Sequence, residues 1–337
     1  MVSDGQVISR IIGEGSLSAL PNLLEDYPEV FVVYDENVAG LIPDIPSCKG
    51  MVAIDATEEG KTLLSVELIC RSMMEAGLGR RALVLSFGGG ITTDMAGFAA
   101  SLYKRGVHYA NVPTTLLAMV DAAIGGKTGV NFDGYKNMLG VIRQPEFTFI
   151  SAEPLKTLKP RDFLSGAAEL LKTFIIDDSG GNYKKAVSLL SSPGRGLDSE
   201  AFQELIFSAA GVKAGIVGRD QFESGERKKL NLGHTFAHAI EHEARQKGDD
   251  ITHGEAVAVG IIMAARLSEK IFGIKGLAEA LKDDFVRVGL PVECPYREDD
   301  LKAAMAKDKK SEGDRIHFVL VRRVGTVEIV PLRINEI

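Results

Sequence analysis

Five short apolar runs in the first 150 residues constrain the fold of this chain more than any other feature of its sequence. They are rich in β-branched and aromatic residues, and segments with helical periodicity separate them. Strands that alternate with helices are typical of a parallel sheet with helices packed on its faces. The runs are 30–34, 51–54, 82–87, 109–112 and 147–150. We therefore predict an N-terminal Rossmann-like α/β domain over residues 1–155.

The pattern of the second half is different, because helical periodicity dominates after about residue 155. Amphipathic runs lie near 161–176, 199–215, 231–246, 255–272 and 277–288. Two apolar runs at 316–322 and 326–330, joined through Val324 and Gly325, predict a late β-hairpin. We expect residues 156–337 to form a mainly α-helical domain.

Composition narrows the classes of function. The chain of 337 residues is long enough for two domains, and its net charge of -7 argues against a nucleic-acid partner. No apolar run reaches the ~20 residues of a membrane span, and the N-terminus lacks a secretion signal. We thus expect no membrane association and a cytoplasmic location. The three cysteines are widely spaced, so a metal would have to use His, Glu or Asp ligands.

Four of the six histidines fall within twenty residues, at His234, His238, His242 and His253. On a helix, positions four apart differ by only about 40° around the axis, so His234 and His238 could face one pocket. His253 could close that pocket from the next segment. Any single one of these histidines could serve only the core or a polar face, but the cluster favours a metal site.

Three consecutive glycines, Gly88, Gly89 and Gly90, lie where a predicted strand ends and a helix begins. Glycine there lets the backbone approach a pyrophosphate, although three glycines could also make only a tight turn. The spacing is not that of the G-x-G-x-x-G fingerprint. Asp35 and Asn37 follow another strand, where they could face an adenosine ribose or simply form an Asx turn.

Charged groups recur in two further segments. Lys127, Lys136 and Asn137 lie in what we interpret as glycine-rich loops, which do not match the phosphate loop of nucleotide hydrolases. Glu169 and Lys172 are one turn apart on an apolar helix. They could form an ordinary surface ion pair, but their apolar neighbours suggest that they face a site.

Taken together in order and spacing, these blocks resemble the 3-dehydroquinate synthase family from about residue 30 to 325. The blocks that carry the resemblance are 88–90, 112–118, 125–129, 136–138, 231–241, 253–258 and 308–310. The combination of the histidine block with Gly-Gly-Lys-Thr-Gly at 125–129 is the most specific part of this match.

The resemblance implies that residues 1–155 form an NAD-binding domain and residues 156–337 a metal- and substrate-binding domain, and it implies a role for each matching position. The metal, zinc or cobalt, would be held by Glu169, His234 and His253. The NAD+ would lie between the domains, beside Asp35, Asn37, Glu58, Lys61, Gly88, Gly89, Gly90, Asp94, Thr114, Thr115, Asp121, Lys127 and Lys136. The catalytic and substrate-binding residues would be Arg105, Asp121, Lys127, Asn137, Lys172, Lys213, Arg227, Asn231, His238 and the Asp308-Lys309-Lys310 segment. Within that segment we assign the substrate contact to Lys310.

The implied substrate is 3-deoxy-D-arabino-heptulosonate 7-phosphate, a small anionic sugar phosphate of the shikimate pathway. The implied reaction is transient oxidation by NAD+, β-elimination of phosphate, reduction and an intramolecular aldol closure to 3-dehydroquinate. Arg105 matches an arginine that the family lends across a dimer interface to the phosphate, so the resemblance also implies a homodimer.

The chain departs from the family pattern at four places. It has Thr93 where glycine is typical, Ala122-Ala123 where two serines are typical, Ser151-Ala152 in place of an aspartate, and the segment 173–175 (Thr-Phe-Ile) where a glycine is common. We expect these changes to alter details of the NAD+ contacts and of helix packing, but not the chemistry.

Three alternatives remain open. Another sugar-phosphate cyclase, such as 2-deoxy-scyllo-inosose synthase, would share the metal and NAD+, but Lys213 and Arg227 favour a substrate with a carboxylate. A metal-dependent glycerol or alcohol dehydrogenase would release NADH and would need fewer phosphate-directed lysines. A degenerate relative that only binds nucleotide would be expected to have lost one of the three metal ligands.

Overall fold

The computed structural model describes every residue except 1, 4, 5, 8, 9, 14, 198 and 309–314. Its contacts divide the chain into two compact units, each interrupted once in sequence. Unit 1 comprises Met1–Lys159 with Lys213–Phe222, and unit 2 comprises Pro160–Val212 with Glu223–Ile337. The domain limits suggested by the sequence, 1–155 and 156–337, stay a prediction.

The described residues form strands and helices whose bounds are as follows. The strands are β1 (Val2–Ser3), β2 (Gln6–Val7), β3 (Ile11–Gly13), β4 (Val30–Asp35), β5 (Cys48–Ile54), β6 (Leu83–Gly88), β7 (His108–Pro113), β8 (Lys127–Phe132), β9 (Tyr135–Ile142), β10 (Thr148–Ile150), β11 (Ile316–Arg323) and β12 (Thr326–Leu332). The α-helices are α1 (Leu20–Leu23), α2 (Leu63–Glu75), α3 (Gly90–Leu102), α4 (Pro160–Ile176), α5 (Tyr183–Leu190), α6 (Glu200–Arg219), α7 (His234–Lys247), α8 (His253–Phe272), α9 (Leu277–Val288) and α10 (Glu298–Asp308).

A six-stranded parallel sheet forms the centre of unit 1, with strand order β3-β10-β7-β6-β4-β5. Strand side chains alternate between the faces, so Phe31 and Val33 pack with α2 and α3 on one side. Val30 and Val32 pack into a second core on the other side. Both faces are therefore buried, which explains why β4 is continuously apolar in sequence. This confirms the predicted α/β fold.

The antiparallel pair β8 and β9 corrects the prediction of loops around Lys127 and Asn137. Gly129 on β8 lies directly opposite Gly140 on β9. A Cβ at Gly129 would meet the Cα of Gly140 at 3.0 Å, so the two glycines let the strands pass closely. The glycine content that indicated loops is in fact part of a hairpin, and Lys127, Lys136 and Asn137 stand on its strands.

Helix α8 is the centre of unit 2 and packs against α4, α7, α9 and β11. It is buried along most of its length, including Val257, Ile261 and Ala265. The predicted helices correspond to α4, α6, α7, α8 and α9, and the predicted hairpin to β11 and β12, with Gly325 in the turn at φ +82°. The shorter helices α5 and α10 were not predicted. Among helices of the described residues, none has the length and apolarity needed to cross a bilayer.

Candidate metal centre and glycine-rich loop

Helix α4 places a carboxylate and an ammonium group inside unit 2. Glu169 and Lys172 are one turn apart, and their side chains are 0% and 1% exposed. The Lys172 Nζ atom lies 2.5 Å from Glu169 Oε2. An isolated charge is costly to bury, and in this pair each group lies beside one of opposite charge, which offsets that cost. The interpretation as a surface ion pair is wrong, since neither group reaches the surface.

His234 is the first residue of α7, and Gly233 precedes it at φ +79°. A Cβ at Gly233 would meet Ile261 Cγ1 at 2.8 Å, so only glycine lets this turn lie against α8. The ring nitrogen Nδ1 of His234 lies 3.2 Å from the Leu232 carbonyl oxygen. Its Nε2 lies 3.6 Å from Glu169 Oε1.

His253 is the first residue of α8, directly after the N-cap Thr252. Thr252 and Glu255 form a capping box that fixes this first turn. His253 Nε2 lies 3.5 Å from Glu169 Oε1, and its Nδ1 lies 3.4 Å from Glu241 Oε1. Both imidazoles thus direct Nε2 toward the same carboxylate oxygen.

The three groups fit a divalent cation. One ligand atom each from Glu169, His234 and His253 can be chosen so that all lie within 4.8 Å of one another. Tetrahedral zinc with bonds of about 2.0–2.1 Å separates its ligands by roughly 3.3 Å, close to the two carboxylate–imidazole distances. Each Nδ1 faces an oxygen acceptor, which leaves Nε2 for a metal, as in known histidine metal sites. His234 and His253 thus lie together as the histidine cluster indicated, and their role as metal ligands stays a prediction.

The electrostatics of the cluster also suit a cation. Burial would raise the pKa of Glu169, but Lys172 and the two imidazoles hold it well below its ordinary value. Burial, with Lys172, lowers the pKa of His234 to about 3. Burial opposes charge on His253 as well, but hydrogen bonds to Glu169 and Glu241 raise its pKa to about 10. An ionised carboxylate and a neutral imidazole are the forms that bind a metal, so Glu169 and His234 would hold a cation directly, whereas His253 would have to give up a proton to do so.

Other predicted substrate residues of unit 2 lie close to this centre in sequence and are already engaged. The His238 ring lies 5.8 Å from the His234 ring and is exposed. Asn231 donates to Glu223 Oε1 at 2.6 Å, and Arg227 is buried. Lys310 lies outside the described residues, as does Lys309.

Two acidic side chains beside the metal centre, Glu241 and Glu255, were not predicted from the sequence to be part of the site. Glu241 follows His234 by seven residues on α7, a spacing that places both on one face of a helix. The spacing could have revealed Glu241 from the sequence. The partner of Glu255 is Arg161, 94 residues earlier in the chain, and no sequence spacing could have revealed that pair.

In unit 1, the glycine block joins β6 to α3 as predicted. A Cβ at Gly88 would meet the Thr92 Cβ at 2.7 Å, and one at Gly90 would meet the Ala122 Cβ at 2.9 Å. Gly89 is the N-cap of α3, and a Cβ there would meet Thr115 Cγ2 at 3.1 Å. The loop therefore excludes side chains and presents backbone amides at the start of a helix, where an anion is favoured.

A partly buried network lies next to this loop. Lys61 Nζ donates to Asp94 Oδ2 and to Asn137 Oδ1, both at 2.6 Å. Burial raises the pKa of Asp94 to about 6, although Lys61 opposes the shift. Asn131 donates to Glu58 Oε1 at 2.8 Å, which adds a fourth predicted residue to the same region of the hairpin.

The remaining predicted residues of unit 1 are distributed more widely. Lys213 donates to the carboxylate of Asp121 at 2.6 Å and to its carbonyl oxygen at 2.7 Å. Thr114 is buried, and its N–H donates to the Gly88 carbonyl oxygen at 2.9 Å. Residues with exposed side chains are Lys127, Lys136 and Arg105, of which Arg105 stands at φ +69°.

Asp35 and Asn37 form the Asx turn that we considered as the alternative to a nucleotide contact. The N–H of Asn37 donates to Asp35 Oδ1 at 2.9 Å, and its side-chain amide donates to the same oxygen at 2.8 Å. The turn caps the 3-10 helix that follows β4. The turn accounts for both residues structurally, and a contact with NAD+ stays a prediction.

The departures from the family pattern are accommodated locally. The Thr93 hydroxyl donates to the Gly90 carbonyl oxygen at 3.0 Å within α3. The Thr173 hydroxyl donates in the same way to the Glu169 carbonyl oxygen at 3.0 Å. The Ser151 hydroxyl accepts the Glu153 N–H at 3.2 Å. Each hydroxyl is satisfied by the backbone of its own segment.

Solved structures with this fold include synthases that have NAD+ and a metal ion bound. The 2-epi-5-epi-valiolone synthase of Streptomyces hygroscopicus, solved with NAD+ and Zn2+ bound, matches at a TM-score of 0.83 and 28% identity, over 100% of this chain and 96% of that one. A 2-deoxy-scyllo-inosose synthase complexed with carbaglucose-6-phosphate, NAD+ and Co2+ matches at 0.82 and 24% identity, over 98% and 97% of the two chains. The second likeness concerns the fold alone. This chain thus shares its fold with sugar-phosphate cyclases.

The sequence comparisons are more specific. The family models for 3-dehydroquinate synthase match in two parts, the N-terminal model at residues 51–165 and the C-terminal model at 166–311. The 3-dehydroquinate synthase of Campylobacter concisus is 39% identical over 317 residues, or 91% of this chain and 88% of the relative. That of Acidithiobacillus ferrooxidans is 40% identical over 334 residues, or 91% and 87%. The chain belongs to the 3-dehydroquinate synthase family.

Proposed function

We propose that this protein catalyses the conversion of 3-deoxy-D-arabino-heptulosonate 7-phosphate to 3-dehydroquinate and phosphate, acting as a phosphate-eliminating carbon–oxygen lyase. The observation that carries the proposal is the convergence of His234 and His253 on one oxygen of buried Glu169. Family membership supplies the substrate and the reaction.

Glu169, His234 and His253 would hold the divalent cation, Zn2+ or Co2+, within unit 2. When bound, this cation would polarise the reacting hydroxyl, and NAD+ would take a hydride and later return it. Lys172 stabilises the ionised form of Glu169, which keeps the carboxylate available as a ligand. Three protein ligands leave room for substrate oxygens, as a catalytic site requires.

The glycine loop of unit 1 would receive the pyrophosphate of NAD+. Gly88, Gly89 and Gly90 leave no side chain between a ligand and the first amides of α3. Around this loop we assign NAD+ contacts to the other residues that match the family. They are Asp35, Asn37, Glu58, Lys61, Asp94, Thr114, Thr115, Asp121, Lys127 and Lys136.

Substrate binding would depend on cationic and amide side chains that match the family. They are Arg105, Asp121, Lys127, Asn137, Lys172, Lys213, Arg227, Asn231, His238 and Lys310. A unit charge pair at ~4 Å is worth roughly 4 kcal/mol at an effective dielectric of about 20, so a few such groups outweigh the negative net charge. Lys213 and Arg227 are the residues that we assign to the substrate carboxylate.

We further propose that the protein works in the cytoplasm as a homodimer in which Arg105 of one subunit reaches the substrate phosphate of the other. The exposure of the Arg105 side chain supports this role. The oligomeric state can be measured directly by analytical ultracentrifugation.

The test is to incubate the protein with the heptulosonate phosphate, a catalytic amount of NAD+ and Zn2+, and to follow phosphate and NADH together. We expect many equivalents of phosphate per NAD+ and no accumulation of NADH, because the hydride is returned. Protein stripped of metal by a chelator is the control, and Zn2+ or Co2+ should restore its activity.

Two other results would contradict the proposal. Phosphate release from glucose 6-phosphate, with none from the heptulosonate phosphate, would indicate a 2-deoxy-scyllo-inosose synthase. Stoichiometric NADH with a simple alcohol or glycerol would indicate a dehydrogenase.

A further inference from the structure

Three residues on one face of α4 meet three consecutive residues at the start of α8. Arg161, Ser165 and Glu169 are spaced four apart, which places them on one side of the helix. They contact Glu255, Gly254 and His253 respectively. We refer to these three pairs as the α4–α8 ladder. Its last pair belongs to the metal centre, and its first two pairs have no role in the proposed chemistry.

The first pair of the ladder is a two-point salt bridge. Arg161 Nε donates to Glu255 Oε1 at 2.9 Å, and Nη2 donates to Oε2 at 2.8 Å. The same guanidinium donates to the carbonyl oxygen of Asp250 at 2.7 Å. Glu255 also accepts a hydrogen bond from the N–H of Thr252 at 2.8 Å, so Arg161 binds a residue of the capping box of α8. A planar guanidinium makes such a fork, whereas a lysine cannot.

The second pair fixes the backbone next to His253. The N–H of Gly254 donates to the Ser165 hydroxyl at 2.9 Å. A Cβ at Gly254 would overlap the Ser165 backbone, so the two helices touch at this point. Together with the arginine fork, this contact holds the main chain of His253 at a set distance from Glu169.

The imidazole ring of His253 is held separately. Its Nδ1 lies 3.4 Å from Glu241 Oε1, and its Nε2 lies 3.5 Å from Glu169 Oε1. The side chain of Glu241 is only 15% exposed, and it comes from α7, the helix that carries His234. An acceptor at Nδ1 fixes both the tautomer and the rotation of a metal-binding histidine.

We propose that Arg161 and Glu241 are positioning residues of the metal centre: Arg161, through Glu255, places the backbone of His253, and Glu241 orients its ring. This role rests on the proposed metal-dependent function. Neither residue touches the reacting atoms, so both act only through His253.

A purely structural role predicts a different pattern of effects. The Arg161 side chain is 43% exposed, and exposed ion pairs contribute little to the stability of a fold. If Arg161 only braced the fold, its loss would change stability slightly and metal affinity not at all. As a positioning residue, its loss changes metal affinity more than stability.

The experiment measures Co2+ binding through its visible absorption, with Zn2+ competition, in the metal-free full chain and its variants. The test variants are Arg161→Ala, Arg161→Lys, Glu241→Ala and Glu241→Gln. The matched controls are Arg266→Ala on α8, 3.9 Å from its carboxylate partner, and Glu243→Gln on α7, 3.8 Å from Lys247. Circular dichroism of each metal-free variant monitors the fold.

We expect Arg161→Ala and Glu241→Ala to bind Co2+ about 10–100-fold more weakly, with an altered visible band. Arg161→Lys should resemble the alanine variant because it lacks the fork, whereas Glu241→Gln should be milder because its amide oxygen still accepts from Nδ1. Both controls should bind like the unaltered protein. Should an alanine variant fail to fold, the lysine or glutamine variant at the same position decides.

Unchanged Co2+ affinity and spectrum in folded Arg161 and Glu241 variants would overturn the positioning roles and leave the metal centre intact. An equal loss in the two controls would overturn them as well, since the effect would then not be local. Failure of the unaltered protein to bind Co2+ at all would overturn the metal centre and the positioning roles with it.

Discussion

The metal centre of unit 2 and the glycine loop of unit 1 are built in opposite ways. At the metal centre, charged side chains converge inside the protein, and each is compensated by another, as Lys172 compensates Glu169. At the glycine loop, side chains are absent, and the neighbouring Thr92 and Ala122 leave no room for them. The comparison teaches that the first site depends on charge balance and the second on shape, so they should fail under different substitutions.

The largest expected effect is that of Glu169→Gln, which changes charge with little change in shape. It removes one metal ligand and leaves Lys172 buried without its counter-charge, which should destabilise the protein by about 3–5 kcal/mol. Urea denaturation of the metal-free protein and Co2+ titration would measure the two losses. Full metal binding and unchanged stability would show that charge balance does not govern this site.

A second test asks whether charge also matters near the glycine loop, at Asp94. Burial raises the pKa of Asp94 to about 6, above the ordinary 3.8, so the folded state binds a proton more tightly than the unfolded state. The contribution of this group to stability is therefore greatest below pH 4. It falls by about 2 kcal/mol as the pH rises from 4 through 6.

Asp94→Asn should abolish this dependence. The difference in unfolding free energy between the variant and the unaltered protein should shift by about 2 kcal/mol in favour of the variant from pH 4 to pH 7. Parallel urea titrations at both pH values would measure it. If the difference in unfolding free energy stays constant with pH, the pKa of Asp94 is not raised. Charge would then matter at the metal centre and not beside the glycine loop.

The smallest expected effect concerns shape alone. Gly88→Ala should cost about 1–3 kcal/mol, because its Cβ would overlap Thr92. The Cβ that Gly89→Ala adds would meet only the flexible Thr115 side chain, at 3.1 Å, so this substitution should lower the stability of the fold less. It should nevertheless weaken NAD+ binding at least about tenfold, because the methyl group blocks the approach to the α3 amides. Calorimetric NAD+ titration and thermal unfolding separate the two effects.

Gly15→Ala serves as the control for both substitutions, because a Cβ there meets nothing within 4 Å. It should leave stability and NAD+ affinity unchanged. If Gly89→Ala binds NAD+ as well as this control does, the loop is a tight turn and no pyrophosphate site.

The elements that could be predicted from the sequence are those whose periodicity is local. The strands of the sheet and the helices α4, α7 and α8 each bury one or two faces, and such burial produces a hydrophobic pattern in consecutive residues. The hairpin of β8 and β9 could not be predicted in this way. Its glycines, Gly129 and Gly140, have meaning only once they lie opposite each other.

The same distinction divides the two sites. The spacing of His234 and His238 on one helix face and the three glycines at a strand end were sufficient to indicate a metal site and an anion-binding loop. Family resemblance, rather than spacing, selected Glu169 as the third ligand. The roles that we infer for Arg161 and Glu241 came only from the structure.

By itself, the sequence determined the alternation of strands and helices, the concentration of histidines and the positions of the loop glycines, because these are properties of neighbouring residues. The tertiary structure decided that both imidazoles lie near the same oxygen, Glu169 Oε1. It also decided that Arg161 donates to Glu255 at the start of α8, which lies 94 residues later in the chain. The physical reason is that ligand geometry and charge compensation act over a few ångströms in space. Packing of α4, α7 and α8 brings together groups that the chain keeps far apart.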